Sequence, residues 1–180
     1  MENELGRNPR LAIAGGRRWF ADDSSLFRFK GGRLISKVFP ACPTAFGEAL
    51  AELVADGSDS DVEFVLGIVQ NYRGEEATHE VLKRIVTRYT DDKRKMSAVK
   101  ISFDNTGVVS GEFGMVEALR AKRAALEPWR SDNRPEVQNF AAAHIRELDQ
   151  RIAAEQLSAE RDREMRRLNY SQDDDLKRSE

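Results

Sequence analysis

From Phe46 to Ile152 the apolar residues return every three or four positions, and this period constrains the fold more than any other feature. It marks a succession of helices, each with one face to bury. Phe46, Leu50 and Leu53 form one stripe, which Asp56-Gly57-Ser58 ends. Asp59 or Ser60 is placed to cap the next helix, because a side-chain oxygen there accepts an orphan backbone N–H. That helix carries Val62, Val65, Ile68, Val69 and Tyr72. After Gly74 come Ala77, Val81, Leu82, Ile85 and Tyr89. Asp91-Asp92 opens a fourth helix with Met96, Val99 and Phe103, and Asn105-Thr106-Gly107 stops it. A fifth opens at Ser110, with Phe113 in its first turn, then Val116, Leu119 and Leu126; Pro128 ends it. The sixth is long. Pro135 suits its first turn, where a missing N–H costs little, and Val137, Phe140, Ala141, His144, Ile145, Leu148 and Ile152 line its face.

The first forty residues read differently. Leu26-Phe27-Arg28-Phe29 and Leu34-Ile35-Ser36-Lys37-Val38-Phe39 flank Lys30-Gly31-Gly32-Arg33. Two glycines between apolar runs predict a small β-hairpin with a primed turn. The organisation expected is a basic Gly/Arg-rich segment at 1–40, a helix-pair domain at 41–155, an exposed charged helical extension at 156–170, and a disordered acidic tail at 171–180 containing Asp173-Asp174-Asp175.

The pairs are also spaced. Val62, Val99 and Val137 fall 37 and 38 residues apart, close to the period of about 40–47 residues in helix-pair arrays. One pair cannot bury its own apolar faces, whereas a stack makes a continuous core. The fold expected is mainly α: a right-handed α-solenoid of helix pairs or an irregular helical bundle. The stretch from Asp104 through Gly107, Gly111, Phe113 and Gly114 to Arg120, with Leu126-Glu-Pro-Trp-Arg-Ser-Asp and the helix from Val137 to Gln156, resembles the C-terminal HEAT-like repeats of large bacterial multidomain proteins carrying an NTPase or other effector domain. The resemblance spans about residues 41–170, and it implies a binding surface or sensor rather than an enzyme.

Candidate chemistry is sparse. Gly15-Gly16-Arg17-Arg18 lacks the Lys-Ser/Thr that completes a phosphate loop. His79-Glu80 starts like a zinc-protease motif, but Lys83 stands where the second histidine belongs. His79 therefore reads as solvent-facing, and His144 as packed on the last helix. Cys42 is the only cysteine, which excludes an intrachain disulfide, suits a reducing cytoplasm, and reads as a structural thiol. Glu75-Glu76 and Asp91-Asp92 sit where helix dipoles favour acids. No catalytic residue, cofactor or metal ligand is expected. The N-terminus lacks the apolar core of a secretory signal, and no apolar run approaches the length of about 18 residues needed to span a membrane. The net charge of −2 gives the whole molecule no field favouring nucleic acid or membrane.

The function expected is a non-catalytic protein-interaction module or adaptor, with Arg17, Arg18, Trp19, Phe113 and Trp129 as candidate partner contacts. Trp129 also reads as a seal between the fifth and sixth helices. The alternative is a nucleic-acid-binding accessory protein. It would use Arg7, Arg10, Arg17, Arg18, Arg28, Lys30 and Arg33 for phosphates, and Trp19, Phe27 and Phe29 for bases. A homodimer through the last helix is a further expectation.

Overall fold

The computed structural model describes residues 8–177, with side chains described to residue 167. Every regular element among them is helical. Helix α1 is Pro9–Asp22, α2 is Ser24–Leu26 and α3 is Gly32–Val38; a π turn, Phe27–Gly31, joins α2 to α3 without a break. Then follow α4 (Thr44–Asp56), α5 (Asp59–Val69), α6 (His79–Arg88), α7 (Lys93–Asp104), α8 (Gly114–Leu126) and α9 (Pro135–Lys177). The fold is mainly α, as the period predicts.

The hairpin expected over Leu26–Phe39 does not form; that stretch is helix, π turn and helix. Gly31 and Gly32 have ordinary helical φ angles, −64° and −58°, not the positive φ of a primed turn. They are small because space is short. A Cβ on Gly32 would lie 2.0 Å from the Gly67 carbonyl oxygen of α5. The absence of side chains lets two helix backbones touch, and Phe27 is driven fully into the core beside them.

Helix starts follow their local chemistry. Asn8 accepts the Leu11 N–H ahead of Pro9. Ser58, not Asp59 or Ser60, caps α5: it forms a reciprocal capping box with Asp61, whose carboxylate accepts the Ser58 N–H at 2.9 Å. Asp92 caps α7 by accepting the Arg94 and Lys95 N–H groups at 3.0 Å each. Helix α8 begins at Gly114, so Ser110–Phe113 precede it instead of forming its first turn. The open end of α4 is closed from another helix. Arg88 of α6 donates to the carbonyls of Ala55 (3.2 Å), Gly57 (2.8 Å) and Val54, a cation on a helix C-terminus.

The helices stack in two rows. In one, α1 packs on α4, α4 on α6 and α6 on α9; in the other, α3 packs on α5, α5 on α7 and α7 on α8. Paired helices also touch across the rows: α4 with α5, α6 with α7, α8 with α9. The chain takes the rows in the same order three times and reverses it for the last pair. Val62 and Val99 are neighbours in one row, on α5 and α7, whereas Val137 lies on α9 in the other. The similar spacings of 37 and 38 residues therefore mark unlike relations.

Residues 8–40 belong to this stack. Ile13, Phe20, Phe27 and Phe39 share one core with residues reaching to Leu148. Helix α9 runs antiparallel to α8, held by Arg123–Asp149 (2.6 Å), Arg120–Gln156 (3.0 Å) and, further out, Glu112–Arg166 (2.6 Å). Of the tail expected to be disordered, residues 171–177 continue the α9 backbone, and 178–180 lie outside the described residues. No helix among the described residues is long and apolar enough to cross a membrane.

Candidate interaction surfaces

The five residues singled out from the sequence do not come together. Arg17 turns inward and its Nε donates to Asp61 Oδ1 at 2.6 Å. Burial disfavours the ionised Asp61 carboxyl, but the bonds from Ser58 and Arg17 outweigh it and hold the group below the usual range. Arg18 is exposed on α1. Trp19 is half-buried, edge-on to Phe27 at 5.5 Å. Phe113 is half-buried before α8. Trp129 is only 1% exposed, so it is a core residue and not a partner anchor.

Trp129 belongs to a run of rings containing both histidines. Its Nε1–H donates to His79 Nδ1 at 3.2 Å, and His79 Nε2 faces the Gly74 carbonyl at 3.2 Å. This pairing requires the neutral ring with its proton on Nε2. His79 also lies 5.0 Å from the Phe103 ring, so the solvent-facing position expected for it is wrong. Burial, against the pull of the Gly74 carbonyl, holds its pKa below the ordinary histidine value. The run continues from Trp129 to Phe140 (6.1 Å) and from Phe140 to His144 (5.7 Å). His144 is packed, as expected, with Nε2 on Asp104 (2.9 Å) and Nδ1 on Glu147 (3.3 Å). Arg151 pairs with Asp104 and Lys100 with Glu147. These contacts engage all four histidine nitrogens internally and join α6, α7 and α9. Cys42 is also enclosed. Burial first, then Glu75, pushes its thiol up to about 11, away from the reactive thiolate.

One groove opens on the second row. It lies between α5 and α7, beside the π turn, with a cavity volume of about 220 Å³. Leu66, Gly67, Ala98 and Ile101 give it an apolar lining, and Ile101 is 60% exposed. Its rim carries both signs: Arg28 bonds Glu63 at 2.5 Å, and Lys95 bonds Asp92 at 2.7 Å. The sequence reading missed this site. Ile101 falls outside the Met96–Val99–Phe103 stripe, and an apolar residue off its stripe is the signal that could have found it.

A second surface lies on the outer side of the first pair. Phe29 is 77% exposed, Leu34 50%, Leu26 41% and Val38 38%. Lys30, Arg33 and Lys37 stand among them, also exposed. The residues form two rows at four-residue spacing, 26/30/34/38 and 29/33/37, along one helical side. No acid occurs from Ser24 to Phe39. The other basic residues named for nucleic acid are differently placed: Arg10 pairs with Glu52, Arg17 with Asp61 and Arg28 with Glu63. Phe27 is fully buried, and Arg7 lies outside the described residues. On α9, Leu157 and Met165 are exposed eight residues apart. No protein-family model, curated protein or solved structure matches the chain.

Proposed function

We propose that the chain is a non-catalytic protein-interaction module built on HEAT-like stacked helix pairs, and that a protein partner docks in the α5/α7 groove. The observation that carries this is the groove itself: an apolar lining, an exposed Ile101 and a rim of fixed charges of both signs. A volume of about 220 Å³ suits one or two large apolar side chains of a partner, the anchor-in-pocket arrangement that dominates interface energetics. The paired rim charges would set orientation and exclude wrong partners more than add affinity. Two rows of stacked helices support the solenoid reading, in which exposed row faces serve as binding surfaces.

The test is crosslinking and affinity capture from the source cell with wild type and Ile101→Asp. Ile101 is exposed, so the variant should fold; circular dichroism checks this. We expect a discrete partner recovered by wild type and lost with Ile101→Asp. Recovery of the same partner by both, or of none by wild type, overturns the reading.

A further inference from the structure

The outer stripe of the first pair is not explained by a groove-docking partner on the second row. We propose that it is a peripheral docking surface for an anionic lipid bilayer, with Phe29, Leu34 and Val38 entering the headgroup boundary and Lys30, Arg33 and Lys37 binding lipid phosphates and carboxylates.

Three observations favour a bilayer over an acidic polypeptide. The first is shape. Helix α3 ends its row: it packs on α5, and no further helix pair continues the row beyond it among the described residues. The stripe is therefore an outward ridge, which a flat, deformable surface accepts along its whole length. The second is distribution. The exposed apolar residues run from Leu26 to Val38, about 18 Å of helix, instead of gathering into one anchor for a pocket. The third is charge. Lys30, Arg33 and Lys37 form no ion pair with a described residue, while Arg10, Arg17 and Arg28 each hold an acid of α4 or α5. An acid-free run of this length contrasts with the mixed rim of the α5/α7 groove. Lysine and arginine stems are long enough to put their heads among phosphates while neighbouring apolar groups sit deeper. This arrangement, cations beside Phe and Leu on one helical surface, is that of interfacial helices. The ring of Phe29 also has the Lys30 ammonium 5.9 Å from its centre, so the two can reach the boundary together.

Each cation near an anionic leaflet adds roughly fivefold to partitioning, and three add about a hundredfold. The experiment is co-sedimentation of the full chain with two kinds of vesicle, phosphatidylserine in phosphatidylcholine and phosphatidylcholine alone. Soluble polyglutamate is a third probe. We expect partitioning onto the phosphatidylserine vesicles only, weakened by salt. The variant Lys30→Glu/Arg33→Glu/Lys37→Glu should lose it by a hundredfold or more, and Phe29→Ala should weaken it several-fold. All four positions are exposed, so circular dichroism should be unchanged. Ile101→Asp should bind vesicles like wild type, so that failure of the groove reading leaves this one standing and the reverse. Equal binding to both vesicles, full binding by the triple variant, or binding to polyglutamate without binding to vesicles overturns the proposal; the last outcome assigns the stripe to an acidic polypeptide.

Discussion

The two ends of the stack are held by different chemistry. At the N-terminal end, α1 to α3 join α4 and α5 through apolar contact. Phe20, Phe27 and Phe64 meet at ring separations of 5.0–5.9 Å, and Gly32 lies on the Gly67 carbonyl. At the C-terminal end, the turn before α9 and α9 itself meet α6 and α7 through polar groups as much as apolar ones. Arg134 forks onto Glu80 at 3.1 Å through each nitrogen, and Lys83 reaches Asp132 at 2.9 Å. Arg134 and Lys83 hold the Asp132 carboxyl far below the usual range, against a smaller opposing effect of burial. Two histidines complete that seam. The contrast implies that one end responds to packing alone, while the other also responds to pH.

Four expected outcomes would break or sharpen this comparison. Phe27→Ala should have the largest effect, about 3–5 kcal/mol, because it empties a fully enclosed ring site. Urea unfolding measures it, and a loss below about 1 kcal/mol would show that the first pair is not part of the core. Trp129→Phe should cost about 1–3 kcal/mol, since it leaves His79 Nδ1 without its donor in a buried place. The same variant should raise the pH at which His79 titrates.

The third outcome is a pH slope. The folded pKa of His79 is lowered, so the neutral ring contributes fully above the unfolded value of about 6.5. That contribution drains as pH falls from there to the folded value, at no more than about 1.4 kcal/mol per pH unit. Unfolding curves at several pH values should show a steeper fall in wild type than in His79→Gln. Equal slopes would place the C-terminal pH response elsewhere. Asp104, Glu80 and Asp132 act in a separate window. Their pKa values are also lowered, so their contribution is complete above about pH 4.5 and is lost only in more acid solution. The smallest effect belongs to Arg166→Ala. Its pair with Glu112 is exposed, and removing it should shift stability by less than about 1 kcal/mol.

The helices from Phe46 onward were legible because each carries its own apolar period, and nearly every stripe residue from Val62 to Leu148 is buried. Three misreadings share one cause. Gly31-Gly32 looked like a turn because the sequence cannot show that Gly67, thirty-five residues on, presses against Gly32. His79 looked exposed because Phe103 and Trp129, which enclose it, lie on other elements. Trp129 read as a candidate contact for the same reason. Small and polar residues derive their roles from neighbours distant in sequence, and periodicity within one helix carries no information about those neighbours. The two candidate surfaces were hidden likewise. An exposed Ile101 or Phe29 becomes visible only when the buried faces are known.

The π turn at Phe27–Gly31 has a consequence for insertions and deletions. It holds more residues per turn than an α-helix does. Removing Lys30 would let the segment close into a regular α-helix, turning everything from Gly32 to Phe39 by up to about 100° around the axis. Phe39 would swing away from Phe46, on which it now stacks at 4.3 Å. Leu34 and Val38 would drop out of line with Leu26. The aim of this helix is therefore encoded in a count as well as in a choice of residues. A single lost codon here would be felt more than many exchanged ones.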